Sequence, residues 1–338
     1  MTDNLNIQSS FLNLVKEKVD PKISFVDELS DLLSVSKDSA YRRLRGETLL
    51  TFEEISLISD KYKVSVDGFL NPASNESILF NSQNISPASD YKAYLSSIYD
   101  HLTLVNRFEK KKMMYLAKDI LPMHYYQFPA LSWFKSFFWQ KTILNQENMS
   151  RLSYKPDQID PEISSRCKVI WSEFMKIPSV EIWSEETIHI SLRQIEYYFD
   201  IELIDQESAL LIISELADMI DLFREEAQQG KKMHIGAPTS GSLNTFQLYY
   251  NEVLIGDNTI LFEMDEQRIA FIAYNTLSVL STSDARFCDS IHQHMVNIMK
   301  KSTCISQGAE KARNKFFNRI ESKINALENK IKASSTLS

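Results

Sequence analysis

The stretch Leu29–Gly46, LSDLLSVSKDSAYRRLRG, decides how the N-terminal part of this chain folds. Its first half is rich in leucine and ends in a short turn at Ser34–Val35. Ser36 then belongs to a residue type that caps helix N-termini, and the closing glycine to one that ends helices. In the helix between them, Ala40 and Leu44 would face inward while the polar and basic side chains face solvent. The stretch therefore predicts two short helices packed together across a tight turn.

Helical periodicity extends on both sides of this pair. Thr51-Phe-Glu-Glu54 is a capping box, in which a threonine and a glutamate satisfy the free backbone amides of a helix start. The predicted helices span residues 9–20, 25–33 and 37–45, a fourth begins at residue 52, and a short fifth turn covers 65–70. Together they predict a compact five-helix domain over residues 1–72. A linker rich in Asn, Ser and Pro follows at 73–90.

This segment resembles the lambda-repressor-like (xenobiotic-response-element type) helix-turn-helix family. The resemblance covers about residues 8–70 and rests on SVS at 34–36, RRLRG at 42–46 and TFEEISLISDKYKVSVDGFL at 51–70. The chain departs from the family pattern at Ser34, where glycine is common, and at Arg43, where an apolar residue is frequent. The family consists of DNA-binding regulators. The resemblance therefore implies that the third helix enters the major groove of double-stranded DNA.

Candidate roles in DNA binding follow from the position of each side chain. Arginine pairs well with the guanine edge in the major groove, so the candidates for base-edge contacts are Ser39, Arg42 and Arg43. The candidates for phosphate contacts are Lys37, Arg45 and the amides at the capped helix starts marked by Ser36 and Thr51. Two alternatives stay open: a solvated charged face, and a helix-turn-helix fold reused for contacts with another protein.

Composition excludes several function classes. The 338 residues carry a net charge of −8, unevenly spread: 9 basic and 12 acidic side chains in residues 1–70, but 9 basic and 3 acidic in residues 300–338. The middle of the chain is therefore strongly acidic and would be repelled by DNA phosphates. The chain has 7 glycines and neither a GxGxxG nor a GxxxxGK[ST] motif. This argues against a dinucleotide-binding enzyme and against a P-loop NTPase.

The cysteines and the N-terminus bear on localisation. Three cysteines, widely spaced and odd in number, predict reduced thiols in a cytosolic protein. The N-terminus lacks the basic start and apolar stretch of a signal peptide. No apolar run approaches the roughly 18 residues that a membrane span needs. We therefore expect a cytoplasmic protein without membrane contact.

Residues 91–335 are predicted to form a helical effector and dimerisation domain with a small sheet. Periodicity predicts helices at 91–121, 129–144, 161–176, 184–200, 205–229, 284–303 and 307–333. Thr245–Leu254, Thr259–Met264 and Arg268–Tyr274 are β-branched and aromatic, and turn residues separate them. We expect these to form a three-stranded antiparallel meander at about 245–275. The predicted fold class of the whole chain is mainly α.

The segment Pro122–Leu144 is unusually aromatic. Aromatic side chains can line a pocket for a small-molecule effector, and ordinary helix packing is the alternative. The candidate pocket residues are Tyr125, Tyr126, Phe128, Trp133 and Phe137.

The last predicted helix, 307–333, carries an apolar seam with alternating spacings of three and four. The seam residues are Phe317, Ile320, Ile324, Leu327 and Ile331. The seam favours a homodimer, in which the two N-terminal domains (the heads) would bind two half-sites on DNA. The alternative is packing of the helix on its own domain.

One helix face carries soft metal ligands: Cys288, His292, Met295 and Met299. Without a CxxC or HxxxH pair, a buried helix stripe explains this face better, so we expect no metal and no cofactor. No arrangement of Ser, His and Asp for catalysis can be identified either. The sequence therefore predicts a sequence-specific DNA-binding transcriptional regulator and no enzyme. The alternative is a protein-interaction module, antitoxin-like or a phage-type repressor partner, whose large domain binds another protein.

Overall fold

A computed structural model describes residues 7–16, 18–19, 23–62, 64, 66, 78–83, 91–236, 245–252, 256–274 and 277–334. The chain divides into two compact units, an N-terminal unit at residues 1–79 and a C-terminal unit at residues 80–338. The short turn expected at residues 65–70 lies, apart from residue 66, outside the described residues.

The described part of the N-terminal unit is helical. Its helices are α1 (Ile7–Lys16), α2 (Phe25–Leu33), α3 (Lys37–Leu44) and α4 (Phe52–Tyr62). They enclose their own apolar core, in which Val15, Leu29 and Ala40 are fully buried. α2 has the predicted bounds, and α3 ends one residue before the predicted end because Arg45 is its C-cap. Gly46 follows with a φ of 73°, a left-handed conformation that glycine adopts without steric cost.

The turn between α2 and α3 is held by local hydrogen bonds. Ser34 adopts a left-handed conformation with a φ of 53°. The Val35 amide donates to the Ser30 carbonyl at 3.0 Å, and the Ser30 hydroxyl donates to the Val35 carbonyl at 2.7 Å. The small serine at position 30 therefore allows close approach and also fixes the turn. A glycine would suit position 34, because the left-handed region carries no steric penalty for a residue without Cβ.

The C-terminal unit combines helices with one large sheet. Its helices are α5 (Tyr91–Asn106), α6 (Pro122–Tyr125), α7 (Pro129–Phe138), α8 (Pro161–Phe174), α9 (His189–Asp200), α10 (Gln206–Gln229), α11 (Ala285–Lys300) and α12 (Glu310–Ser334). A π-helical turn, Trp139–Ile143, continues α7, and a 3-10 turn covers Glu147–Met149. Asp205 caps α10 by accepting from the Ser208 amide at 2.8 Å, which fixes the start of the helix where the sequence predicts it.

The sheet has eight described strands in the order β1-β7-β6-β5-β2-β3-β4-β8. The strands are β1 (Asn81–Gln83), β2 (Lys111–Ala117), β3 (Ser179–Trp183), β4 (Phe246–Tyr250), β5 (Thr259–Met264), β6 (Gln267–Ala273), β7 (Val279–Thr282) and β8 (Thr303–Cys304). β2, β3 and β4 are parallel neighbours, and the remaining pairs are antiparallel. Strand β1 lies in the stretch that the sequence predicts as a linker.

The predicted fold class, mainly α with a three-stranded antiparallel sheet, is therefore wrong: the sheet is large and mixed, and the fold is mixed α/β. The helix expected at 91–121 ends at Asn106, and strand β2 follows it. The strand sequence KKMMYLA contains good helix formers, so local helix propensity continues through it. β2 is a strand because β3 and β5 bond it from both sides, a non-local effect that overrides propensity.

The expected meander is correct only in its second half. β5 and β6 form an antiparallel hairpin around Asp265, as predicted. β4 pairs instead with β3 and β8, and β2 and β3 separate it from β5 in the sheet. β4 and β5 run in opposite directions but are not neighbours in the sheet, so the turn residues between them do not mark a hairpin and gave a misleading signal.

Both faces of the sheet are covered. Tyr115, Trp183 and Leu248 point from β2, β3 and β4 into the large core formed with most of the helices. The neighbouring side chains Met114 and Ile182 point to the other face and pack against α11. Strands buried on both faces carry continuous apolar runs, not an alternating pattern. Among the described helices, none combines the length and the apolarity that a bilayer crossing requires.

Candidate nucleic-acid interface

Helix α3 presents a polar and basic face to solvent. Ala40 is fully buried and Leu44 packs against the core of the N-terminal unit, so the opposite side of the helix is free. The side chains of Lys37, Arg42 and Arg45 are 67%, 55% and 60% exposed. One face of a short helix therefore offers three cations that can reach an external partner.

The start of α3 is capped as predicted. The Ser36 hydroxyl accepts from the Ser39 amide at 3.2 Å and donates to the Ser39 hydroxyl at 3.1 Å. The cap satisfies one of the amides that a helix start leaves without a partner. Ser39 is half-buried, and its hydroxyl turns back toward the cap.

Arg43, predicted to contact bases, is bonded inside the N-terminal unit instead. Its guanidinium donates to both carboxylate oxygens of Glu54, at 3.1 and 2.7 Å, and both side chains are only 14% exposed. The Arg43 guanidinium holds the pKa of that carboxyl below its ordinary value. Arg43 therefore fastens α3 to α4, which explains how an arginine occupies a position where an apolar residue would be expected.

The capping box of α4 shares the same carboxylate. The Thr51 amide donates to Glu54 at 3.1 Å, and the Glu54 amide donates to the Thr51 hydroxyl at 3.2 Å. The Gln8 side chain donates to the carbonyls of Arg43 and Thr48 and accepts from the Leu50 amide at 2.7 Å. The loop between α3 and α4 is thus fixed from both ends, and it holds the exposed face of α3 in one orientation.

Acidic side chains accompany each exposed cation. Asp27 lies 2.7 Å from Lys37 and raises the pKa of that lysine. Glu47 lies 3.0 Å from Arg45 and 3.8 Å from Arg42. These pairs are exposed and therefore weak, so an anionic partner can compete for the cations. They lower the net positive charge of the face in the free protein.

Three large apolar or aromatic side chains are also exposed on or near α3. Tyr41 follows Lys37 by one turn and is exposed on the same face of α3. Leu49 and Phe52, just before and at the start of α4, are exposed too, Phe52 by 87%. The i, i+4 spacing from Lys37 to Tyr41 to Arg45 is a signal that could have identified Tyr41 from the sequence.

The candidate pocket residues do not share one pocket. Tyr126 and Trp133 line a cleft of about 340 Å³ in the C-terminal unit. Tyr125 is fully buried, with its hydroxyl 3.0 Å from the Ser191 hydroxyl. Phe128 and Phe137 belong to the large core. The aromatic segment is thus mainly core packing, and two of its side chains also line the cleft.

The predicted dimerisation seam on α12 is buried within the C-terminal unit. The side chains of Phe317, Ile320, Ile324, Leu327 and Ile331 belong to the large core. α12 also bonds to neighbouring elements through its polar side chains: Arg224 of α10 donates to Glu321, and Lys330 lies 2.8 Å from Glu196 of α9. The seam is therefore occupied by the protein's own helices, and a second copy would need another surface.

The face of α11 that carries soft ligands packs on the sheet. Cys288 and Met295 are fully buried there, and His292 lies 3.5 Å from Glu263. Within the described ranges, no group of three or more His, Cys, Asp or Glu side chains is arranged to hold a metal ion.

Comparison with known proteins adds no relative. No protein-family model matches the chain, and no curated protein and no solved structure shows significant similarity to it.

Proposed function

We propose that the N-terminal unit binds double-stranded DNA and that the protein is a sequence-specific transcriptional regulator acting in the cytoplasm. The observation that supports this most is the exposed face of α3, which carries Lys37, Arg42 and Arg45 and follows α2 across a tight turn. A helix of this kind fits the major groove, where arginine recognises guanine.

The contacts divide by position on the helix. In this proposal Arg42 contacts base edges, with Tyr41 and Ser39 beside it, and Lys37 and Arg45 bind phosphates. Arg43 acts as a positioning residue because Glu54 holds its guanidinium inside the fold. Ser36 and Thr51 mark the helix starts whose amides can bind phosphate.

A single head should bind DNA weakly. Three exposed cations, each beside a carboxylate, give limited phosphate affinity. Useful occupancy of an operator then requires two heads, so the proposal includes a homodimer formed through surfaces of the C-terminal unit other than the α12 seam. An effector bound by that unit would alter operator occupancy by changing the populations of its conformations.

Selection from a random duplex library with the full-length protein tests this proposal. We expect enrichment of one motif, and loss of enrichment for Arg42→Ala. Arg151→Ala is the matched control, because Arg151 is an exposed arginine of the C-terminal unit and should not affect selection. Failure to enrich any motif over several rounds would reject sequence-specific binding.

A second candidate function is a protein-interaction module of the antitoxin or phage-repressor-partner kind. The exposed apolar side chains Leu49 and Phe52 favour it, because exposed apolar groups beside a charged face are typical of protein interfaces. In that case Phe52→Ser would abolish binding of the protein partner. Arg42→Ala would not change the binding of the full-length protein to DNA.

A further inference from the structure

A cleft in the C-terminal unit has the size and walls of a small-molecule site. It lies between the start of α7, one side of α8 and the segment after α10, and its volume is about 340 Å³. Sites for small ligands usually range from about 300 to 1,000 Å³ and combine apolar walls with a few polar groups. The cleft is therefore large enough for a molecule of one or two rings.

Two tryptophans on its walls are held in fixed orientations. The Trp133 indole donates to the Lys155 carbonyl at 3.1 Å, and the Trp171 indole donates to Nδ1 of His234 at 3.1 Å. Both rings line the cleft together with Tyr126. Since the indole rings are bonded in the free protein, a flat aromatic ligand would meet preformed walls and lose little binding energy to ordering them.

The charge of the cleft favours an anion. Lys168 lines it, is exposed, and forms no ion pair or side-chain hydrogen bond among the described residues. None of the described residues that line the cleft is an Asp or a Glu. Other lysines of this unit, such as Lys92 and Lys155, are paired with carboxylates. Lys168 is thus a cation available to a ligand.

Two further groups offer hydrogen-bond donors. His234 accepts a hydrogen bond at Nδ1, so in the neutral ring the proton is on Nε2, which can donate. The Tyr126 hydroxyl is buried and has no hydrogen-bond partner within the described chain. Buried hydroxyls normally have a partner, so an acceptor on a ligand would supply one after a small shift of the ring.

We propose that this cleft binds a small aromatic carboxylate, with its ring system between Trp133 and Trp171 and its carboxylate bound by Lys168. The aromatic walls recognise the ring, and a cation in a cleft whose described lining contains no Asp or Glu selects a negative charge. This site does not depend on DNA binding by the N-terminal unit.

Isothermal titration calorimetry on the full-length protein tests the site with two probes of the same shape. 2-Naphthoate carries the carboxylate, and 2-naphthamide is its neutral analogue. We expect 2-naphthoate to bind more tightly. Lys168→Gln should weaken 2-naphthoate about fivefold and leave 2-naphthamide unchanged, because a partly exposed ion pair contributes up to about a factor of five. Lys315→Gln, at an exposed lysine of α12, is the matched control and should change neither affinity.

A cleft-filling variant keeps the proposal falsifiable. Ser164 is a half-buried residue of α8 that lines the cleft, so Ser164→Trp should abolish binding of both probes while the melting temperature stays close to that of the native protein. The proposal is overturned if neither probe binds at millimolar concentration. It is also overturned if Lys168→Gln weakens both probes equally, or if binding persists in a folded Ser164→Trp variant.

Discussion

Replacing Arg43 with methionine should loosen the contact between α3 and α4 and leave the exposed face of α3 chemically intact. The substitution removes two charge-assisted hydrogen bonds to Glu54, at 3.1 and 2.7 Å, between side chains that are each 14% exposed. Hydrogen bonds to charged groups contribute about 1.5–3 kcal/mol, whereas fully exposed pairs contribute at most about 1 kcal/mol. We therefore expect Arg43→Met to lower the local stability of the N-terminal unit by about 2 kcal/mol.

Hydrogen exchange followed by mass spectrometry measures this effect in the full-length protein. All four tryptophans belong to the C-terminal unit, so tryptophan fluorescence would report mainly on that unit. A loss of about 2 kcal/mol accelerates exchange of protected amides in α3 and α4 roughly 30-fold. Arg45→Met removes an exposed pair with Glu47 and serves as the control, with less than about a threefold change.

The outcome separates the two roles that Arg43 can have. Faster exchange in α3 and α4 supports a positioning residue. If Arg43→Met leaves exchange unchanged and abolishes DNA binding, Arg43 contacts DNA directly and the structural role assigned to it is refuted.

Other substitutions probe the turn between α2 and α3, the exposed face of α3 and the buried carboxyl of Glu226. Ser34→Gly should stabilise the N-terminal unit by about 1 kcal/mol, because Ser34 has a φ of 53° that glycine adopts without steric cost. The gain would appear as slower hydrogen exchange in α2 and α3, and unchanged exchange would show that the turn relaxes. Glu47→Gln should raise DNA affinity about threefold at low salt by releasing Arg42 and Arg45. The control Glu147→Gln, at an exposed glutamate of the C-terminal unit, should have no effect. Burial raises the pKa of Glu226 to about 8, so the folded state binds its proton more tightly than the unfolded state. The stability from this proton is complete below pH 4.5 and is lost as the pH rises toward 8, by up to about 1.4 kcal/mol per pH unit. Glu226→Gln keeps a side-chain oxygen that can accept from the Met233 amide. The substitution should therefore raise the melting temperature at pH 8 more than at pH 4.5. An equal gain at both pH values would contradict a raised pKa for Glu226.

Local signals predicted the helices of the N-terminal unit well. The serine cap of α3, the capping box at Thr51 and the terminal Gly46 act within a few residues of themselves, so the sequence shows them directly. The same holds for α10, which begins after the Asp205 cap, and for the hairpin around Asp265.

Non-local contacts account for what the sequence did not predict. β3 contains Glu181, an unusual residue for a fully buried strand, and its carboxylate is bonded by His124, 57 residues earlier, and by the Trp183 indole. A polar side chain in a five-residue segment weakens any strand prediction unless its distant partner is known. The same limit applies to β2, whose ladder partners are remote in sequence.

The candidate site follows the same division. The exposure of Lys37 and Arg42 on α3 could be predicted from helical spacing. The burial of Arg43 could not, because its partner Glu54 lies on the next helix. Periodicity on α12 showed an apolar seam correctly, but a repeat of threes and fours does not distinguish a second copy from the chain's own α10 and α9.

The salt dependence of DNA binding by the full-length protein shows whether the exposed cations of α3 bind phosphates. Binding to the selected duplex should weaken with salt with a log–log slope of about −2 for one head, since Lys37 and Arg45 each release about one counterion, and about −4 for a dimer. Arg45→Gln should reduce the magnitude of the slope by about one per head, and Arg151→Gln should not change it. A slope near zero, or an equal slope in Arg45→Gln, would contradict DNA binding through α3.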